Sequence, residues 1–376
     1  MSFLQSFHID LNTITKCNLN CKYCYESKQI KQIDNKINYD ILDKIISKLN
    51  ELSNSNFIKQ NYSNININFW GGEPTLSYDV IKYYLNNLKG NYTFFIYTNG
   101  YNFSNEIKKL LLEYVNKIII QISYDFYPIH DKFRVDKDNK QTSKNILENI
   151  DWVYKNKFRF TIKSTIPHKS LKDMFKAYKD CVELTKKYNI NYKYSPTIVQ
   201  FISKNDLKRN INNYISDLNN SLENILKEEL KYFKTENKTY FGMFDNNRAL
   251  CSAGHSLLSI DIDGKVYKCH GTLYSKSKDL HYVTDVEKIS FVEDIQKSHE
   301  NHNDFQIERC KDCFATYCHR CNAEHFDLSN KEDYFDKWYD FSNDENYCLL
   351  YKQISKFSIA FRRLIGEKYD YTKTNR

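Results

Sequence analysis

The sequence predicts an α/β protein, a partial (β/α)6 barrel followed by a cysteine-rich C-terminal domain. Three observations predict it: strand-like and helical segments alternate over the first two hundred residues, polar motifs follow several strands, and cysteines gather near the start and in the last third. Such alternation is typical of a parallel sheet, which right-handed crossovers curl into a full or partial barrel. We expect the barrel in residues 1–202, a helical layer in 203–248 and the cysteine-rich domain in 249–376.

The strands are predicted where short segments are rich in β-branched or aromatic residues. They are Phe7–Ile14, Ile65–Trp70, Thr93–Tyr97, Ile118–Ser123, Phe158–Ile166 and Asn191–Tyr194. Apolar residues at helical spacing predict the intervening helices, two of them with Ser77 and Ser104 as N-caps. Further helices are predicted over Ser143–Asn156 and Ser170–Tyr188, and Cys181 lies on the apolar face of the second, as a core residue.

Beyond the barrel, Ser203–Lys234 has an apolar stripe at helical spacing. We expect this helix to cover a domain junction, with docking of a partner as the alternative. Asp263-Gly264 then separates two alternating segments, which predicts a hairpin of Ser256–Ile262 and Lys265–Cys269. A last helix is expected from about Cys348 to Ile365.

The composition excludes several classes of protein. Lys and Arg number 55 and Asp and Glu 47, a net charge of +8, but the basic residues are scattered instead of forming the patch that nucleic-acid binding requires. No apolar run approaches the ~20 residues that span a bilayer, and the first twelve residues lack a signal peptide. We therefore expect a cytoplasmic protein that binds neither nucleic acid nor membrane, in which clustered cysteines are metal ligands.

Cys17, Cys21 and Cys24 fall within eight residues, directly after the first strand. A structural zinc would need a fourth donor from elsewhere, whereas three thiolates can hold a [4Fe–4S] cluster whose fourth iron stays open for a small chelating molecule. Because active residues of such barrels lie at the carboxyl ends of the strands, we expect polar motifs there. The motifs that follow the next three strands are Gly71-Gly72-Glu73-Pro74, Thr98-Asn99-Gly100 and Ser123-Tyr124-Asp125.

The cysteine loop, with Tyr23 as its aromatic residue, resembles the Cys-x3-Cys-x-aromatic-Cys loop of the radical S-adenosylmethionine (SAM) superfamily. The resemblance implies that the open iron binds the amino and carboxylate groups of SAM. The cofactor-binding residues that it implies are Tyr23, Gly71, Gly72, Glu73, Ser123 and Arg134. We expect the glycines, which lack a Cβ, to let the backbone approach the methionyl ammonium. The segment 124–126 departs from the Leu-Asp-Gly common in the family, and a rim salt bridge is the alternative for Arg134.

Seven cysteines organise the last third of the chain: Cys251, Cys269, Cys310, Cys313, Cys318, Cys321 and Cys348. A zinc ribbon would satisfy the four central ones. Beside a radical SAM barrel, the pattern resembles the SPASM extension of peptide- and protein-modifying members, although two internal spacings are each one residue shorter. The resemblance implies two auxiliary [4Fe–4S] clusters. Their ligands would be Cys310, Cys313, Cys318 and Cys348 for the distal cluster, and Cys251, Cys269 and Cys321 for the one near the barrel.

One iron of the cluster near the barrel then lacks a protein thiolate. Asp245, His255 or water are candidates to fill the position. If the iron stays open, it would favour a Cys-containing peptide as substrate, because an open iron binds a thiolate.

The resemblance implies an oxidoreductase, in which an electron donor such as flavodoxin or ferredoxin drives SAM cleavage and a 5′-deoxyadenosyl radical abstracts hydrogen. One hypothesis is a maturase that forms a thioether or C–C crosslink in a ribosomally made peptide, and another is a sulfatase-type maturase that forms formylglycine. Sulfatase maturases place a proton-accepting Asp after the second hairpin cysteine, where this chain has His270 as the candidate catalytic residue.

This departure favours peptide maturation. A non-enzymatic metal-binding module is the third hypothesis, and it gives the motifs after the strands no purpose. Only six residues precede the first strand, too few for a leader-binding domain. Leader recognition would then come from a separate protein, from Ser203–Lys234 or from the barrel mouth.

Overall fold

The computed structural model describes residues 5–24, 37–199, 204–245, 256–272, 282–290, 293, 315 and 345–367. The strands are β1 (Phe7–Asn12), β2 (Ile65–Trp70), β3 (Tyr92–Thr98), β4 (Ile118–Ser123), β5 (Arg159–Lys163), β6 (Thr165–Ile166), β7 (Thr197–Ile198), β8 (Leu257–Ile260), β9 (Lys265–Tyr267) and β10 (Tyr282–Asp285). The helices are α1 (Tyr39–Asn54), α2 (Asn56–Asn61), α3 (Tyr78–Asn87), α4 (Asn105–Glu113), α5 (His130–Phe133), α6 (Ser143–Lys155), α7 (Met174–Tyr188), α8 (Lys204–Glu236) and α9 (Glu345–Leu364). No helix in these ranges is long and apolar enough to cross a membrane.

The main sheet has eight strands in the order β10-β9-β8-β1-β2-β3-β4-β5. The pairs from β8 through β1, β2 and β3 to β4 are parallel, while β9 is antiparallel to both β8 and β10. The predicted α/β fold with a mostly parallel sheet is therefore confirmed, and so is the hairpin of β8 and β9. Pairing of β8 with β1 brings residues from the last third of the chain into this sheet.

Residues on the two faces of β1 and β2 differ in polarity. Ile9 pairs with Ile67, Ile67 with Phe94 and Phe94 with Ile118, and all four are buried. Burial of such a side chain contributes about 1.5–3 kcal/mol. The next residue along β1 begins a polar row, because Asp10 pairs with Asn68 on one side and Ser259 on the other.

Both predicted N-cap residues stand at the N-cap positions of their helices, but only one of them makes the capping hydrogen bond. Ser104 caps α4, because its hydroxyl accepts a hydrogen bond from the Ile107 N–H at 3.3 Å. Ser77 precedes α3 but does not cap it with its side chain. Its hydroxyl donates to the Pro74 carbonyl instead, and lies 2.9 Å from the Thr13 hydroxyl after β1. Cys181 is fully buried in α7, as predicted.

The predicted strand at Asn191–Tyr194 is wrong. The strand in this part of the chain is β7, which pairs with β6 in a separate two-stranded sheet. Tyr194 is buried in an aromatic cluster, 5.5 Å from the Phe126 ring and 6.1 Å from that of Phe241. Its strand-like sequence pattern therefore reflects aromatic burial. The predicted strand Phe158–Ile166 is divided between the two sheets, as β5 and β6.

Two compact units interleave along the chain, whereas the predicted domains are contiguous. One unit comprises Met1–Ser123, Arg134–Ile162 and Ser252–Phe305, and includes the cysteine loop and strands β1–β4 and β8–β10. The other comprises Tyr124–Phe133, Lys163–Cys251 and Gln306–Arg376, and includes α7, α8 and α9. Within this second unit α8 packs against α9, and the Ser358 hydroxyl donates to the Phe244 carbonyl at 2.9 Å.

Candidate functional site

The cysteine loop follows the end of β1 after four intervening residues, and hydrogen-bond donors face two of its sulfurs. Cys17 is buried, and its Sγ accepts from the Leu19 N–H at 3.5 Å and from Asn99 Nδ2 at 3.8 Å. Cys21 and Cys24 are partly exposed, and Cys21 Sγ accepts from Arg134 Nη1 at 3.9 Å. Donors of this kind stabilise thiolates and modulate iron–sulfur clusters. These donors therefore suit thiolates at Cys17 and Cys21.

Arg134 also lies over the Tyr23 ring, with its guanidinium carbon 5.4 Å from the ring centroid. The segment that follows Arg134 holds the loop, because the Asn20 N–H donates to the Val135 carbonyl at 2.8 Å. The structure thus brings together three residues that the sequence singled out, Cys21, Tyr23 and Arg134. Ser123 is partly exposed at the end of β4.

The Gly71-Gly72 segment packs directly against the backbone that leads into Cys17. A Cβ on Gly72 would lie 2.3 Å from the carbonyl oxygens of Thr15 and Lys16, and one on Gly71 would lie 2.3 Å from that of Ile14. Gly72 N–H donates to the Ile14 carbonyl at 2.8 Å. The glycines are therefore required by contact between two protein segments, a reason different from the approach to methionyl ammonium that we expected.

Glu73 connects the ends of β2 and β3. Its carboxylate is buried; Oε1 accepts from Thr75 N–H and from the hydroxyls of Thr75 and Thr98, and Oε2 accepts from the Asn99 N–H at 2.7 Å. Burial raises the pKa of Glu73, and these hydrogen bonds oppose that effect. Its partners in the structure are protein groups, and through Asn99 it supports Cys17.

Sequence reasoning did not assign Asn99 a role. Its Nδ2 donates to Asn18 Oδ1 at 2.7 Å besides facing the Cys17 sulfur, and its Oδ1 accepts from the Tyr101 N–H at 2.8 Å. The available signal was its position in Thr98-Asn99-Gly100 after a predicted strand. An amide there can donate to one neighbour and accept from another.

The turn after β4 adopts a left-handed conformation at Phe126, where φ is +66°. This is the position at which the family's Leu-Asp-Gly has its glycine, so the departure in sequence does not abolish a glycine-like backbone. A non-glycine residue in this region costs about 1–2 kcal/mol. Phe126 is fully buried, 5.0 Å from the Tyr124 ring, and burial of such a ring contributes about 1.5–3 kcal/mol. Asp125 Oδ1 accepts from the Thr165 N–H at 2.8 Å.

Cys269 and His270 follow β9 after one intervening residue, Lys268. Cys269 is partly exposed, and His270 Nδ1 lies 2.6 Å from Asp10 Oδ2 on β1. The His270 ring also lies 4.9 Å from that of Trp70, at the end of β2. Asp10 was not singled out from the sequence, where it is one of the alternating polar residues of the first strand.

The remaining predicted cluster ligands are only partly covered by the structure. Cys348 is partly exposed on α9. Asp245, a candidate for the open iron position, forms an ion pair with Lys193, whose Nζ lies 2.9 Å from both carboxylate oxygens. The residues outside the described ranges are Cys251, His255, Cys310, Cys313, Cys318 and Cys321. Among the side chains that are described, no three His, Cys, Asp or Glu residues are grouped to hold a metal ion.

Comparison with known proteins identifies the domain that contains the cysteine loop. Residues 11–181 match the family model of the radical SAM superfamily. The radical SAM cyclopropyl synthase TigE of Paramaledivibacter caminithermalis is 25% identical over 291 residues, which cover 70% of this chain and 57% of that protein. The cysteine-type anaerobic sulfatase-maturating enzyme of Clostridium novyi is 25% identical over 313 residues, covering 74% of this chain and 75% of the enzyme.

Among solved structures, anSMEcpe with bound AdoMet has a similar fold. The TM-score is 0.69 at 19% sequence identity, with 95% of this chain and 98% of that chain covered. The same protein with bound AdoMet and the Cp18Cys peptide gives a TM-score of 0.66. Residues 11–181 are therefore similar to the radical SAM superfamily, and the chain has an α/β fold with a mostly parallel sheet like that of anSMEcpe.

Proposed function

We propose that this chain is a radical SAM enzyme that abstracts hydrogen from a peptide and oxidatively modifies it, forming a thioether or C–C crosslink. The observation that carries the proposal is the cysteine loop after β1, in which donors from Asn99 and Arg134 face two sulfurs within the matched domain. The relatives support a peptide as substrate, because anSMEcpe binds the Cp18Cys peptide together with AdoMet.

Cys17, Cys21 and Cys24 would hold the first [4Fe–4S] cluster. With SAM bound, this cluster supplies radical chemistry that removes hydrogen from an unactivated carbon. The protein's own part is to stabilise the thiolates, through the Asn99 amide and the Arg134 guanidinium. The proposed SAM-binding residues are Tyr23, Gly71, Gly72, Glu73, Ser123 and Arg134. Of these, Glu73 would act through the segment that it supports, because its carboxylate is bonded to protein groups.

The C-terminal cysteines would hold two auxiliary [4Fe–4S] clusters in a SPASM arrangement. Cys251, Cys269 and Cys321 would serve one, and Cys310, Cys313, Cys318 and Cys348 the other. Two auxiliary clusters suit a reaction in which the substrate gives up an electron after hydrogen loss. An electron donor such as flavodoxin or ferredoxin, and a separate leader-binding protein, are the proposed partners.

A second candidate function is formation of formylglycine. It is favoured by the similarity to the Clostridium novyi enzyme, which spans three quarters of both proteins. Against it stands His270, at the position where the sulfatase maturases have a proton-accepting Asp. We propose His270 as the corresponding substrate-contacting residue here, with its ring held beside Trp70 and Asp10.

Incubation of the anaerobically reconstituted enzyme with SAM, a reductant and peptides encoded beside its gene tests both candidates by mass spectrometry. A thioether or crosslink removes two hydrogens and retains the sulfur, whereas formylglycine formation on a Cys peptide removes the sulfur. The Cys17→Ala variant is the control. Absence of 5′-deoxyadenosine from the wild-type reaction would contradict the proposed enzyme class.

A further inference from the structure

The face of β3 and β4 that points away from the helices carries two polar side chains near its carboxyl end. Buried and partly exposed residues alternate along both strands. The buried set faces the helices, because the Phe69 ring, in register with buried Ile96 of β3, lies 5.6 Å from the Tyr84 ring of α3. Successive side chains of a strand point to opposite faces. Tyr97 and Gln121, which are paired in the register of β3 and β4, therefore share the other face.

Both of these side chains have hydrogen-bonding capacity that the protein does not use. The Tyr97 hydroxyl and the Gln121 amide form no hydrogen bond within the described part of the chain, and neither polar group is completely buried. Burial and the nearby charge of Asp10 raise the pKa of Tyr97, so its hydroxyl stays protonated at neutral pH. The pair is thus an uncharged hydroxyl beside an uncharged amide.

The side chains next to this pair on the same face are apolar or aromatic. Phe95 and Ile119 precede the pair by two residues on their strands and are in register with each other. The Tyr97 ring packs against Trp70 and Tyr267. Such surroundings suit an uncharged ligand that forms hydrogen bonds, because neither polar group offers a counter-charge to an ion that loses its hydration there.

We propose that Tyr97 and Gln121 bind main-chain amide groups of the peptide substrate, so that recognition at this point does not depend on the peptide's side chains. The inference rests on the proposed function, in which the substrate is a peptide. A peptide group has one donor and one acceptor, and the glutamine amide offers the matching acceptor and donor together. Neighbouring strands lie about 4.8 Å apart, so the Tyr97 hydroxyl can reach the peptide group next to the one that Gln121 binds.

Replacement of single amides by esters in a probe peptide tests this, because an ester lacks the N–H and is a weaker acceptor. The probe is a fluorescein-labelled peptide of one cysteine with three alanines on either side. Its anisotropy is measured anaerobically with the holoenzyme and SAM, without reductant. We expect an ester at one position to weaken binding to the wild type about fivefold. In Gln121→Met, binding of the all-amide probe should weaken about tenfold, and the same ester should then have less than about a twofold effect.

Two further variants are matched controls. Gln141→Met replaces an exposed glutamine of the same unit. Tyr92→Phe removes a hydroxyl from the helix-facing side of β3, where it donates to the Leu49 carbonyl at 2.7 Å. Both should bind the probe as the wild type does, whereas Tyr97→Phe should bind it about threefold more weakly.

The inference is overturned if the wild type does not bind the probe or if no ester position weakens binding. It is also overturned if the ester effect persists unchanged in Gln121→Met, or if that variant loses affinity for SAM and not for the probe, as equilibrium dialysis of SAM would show. Addition of reductant tests the proposed function separately. Absence of 5′-deoxyadenosine in the wild type refutes the enzyme class and leaves the peptide-binding result standing.

Discussion

Two segments of one unit differ in how their functional groups are positioned: the cysteine loop after β1 and the Cys269-His270 segment after β9. The first is a local motif, whereas the second depends on a residue far away in the chain. The three cysteines of the loop lie within eight residues, so one short motif carries them. His270 depends on Asp10, which is 260 residues away in the chain and on a different strand. Local spacing therefore reveals the first group, whereas only the paired strands reveal the second.

The largest effect is expected from the cysteine loop. Cys17→Ala, Cys21→Ala and Cys24→Ala should each abolish reductive cleavage of SAM, because three thiolates are the minimum for a cluster with one open iron. Cleavage is measured as 5′-deoxyadenosine release. Cys181→Ala, which alters a buried cysteine of α7, is the control and should retain cleavage. Continued cleavage in all three loop variants would show that the loop is not the radical-generating site.

The next prediction concerns the metal content of the two cysteine groups, the loop after β1 and the C-terminal cysteines. Anaerobically prepared protein should hold about three [4Fe–4S] clusters per chain, and two should remain after the loop cysteines are replaced. Iron, sulfide and zinc analysis measures this. Stoichiometric zinc in the C-terminal region, with iron only in the loop, would overturn the SPASM interpretation.

A smaller effect is expected from the groups around the loop sulfurs. Asn99→Ala removes a donor to Cys17 and should lower the rate of SAM cleavage about tenfold, as loss of a ligand's supporting hydrogen bond commonly does. Asn149→Ala is the matched control, because its Nδ2 donates to the Gly100 carbonyl of the same segment and not to a sulfur. Equal rates in the two variants would contradict the role given to Asn99.

The last prediction concerns the stability of the fold and is made at Gly72. Gly72→Ala places a Cβ 2.3 Å from two backbone carbonyls and should destabilise the fold by about 3 kcal/mol. Gly366→Ala, with open space around its Cβ and a φ of +81°, should cost about 1 kcal/mol through backbone strain alone. Denaturant unfolding measures both, and equal losses would contradict the tight contact.

Much of the fold follows from local pattern. Strands β2 and β4 match their predicted limits, because their β-branched and aromatic residues are buried in a parallel sheet. At Asn191–Tyr194 the same residue types gave a wrong strand, since an aromatic cluster buries Tyr194, which forms an isolated bridge to Phe241 and no strand.

The supports of the candidate site were the least predictable. Neither the Asn99 contact to Cys17 nor the Asp10 contact to His270 leaves a periodic signal, because each joins residues that the chain separates widely. The reason for Gly71 and Gly72 likewise became clear only from the backbone that they contact. The sequence motifs thus identified the residues proposed to carry the chemistry, and they missed most of the residues that keep those side chains in position.

The central claim is that the open iron of a cluster on Cys17, Cys21 and Cys24 binds SAM. Electron–nuclear double resonance on the reduced enzyme, with SAM labelled with ¹⁵N at its amino group, tests it directly. A variant that lacks the C-terminal cysteines isolates the signal of the first cluster. We predict a hyperfine coupling to the labelled nitrogen that disappears without SAM; a cluster signal that SAM leaves unchanged, with no such coupling, would contradict the account.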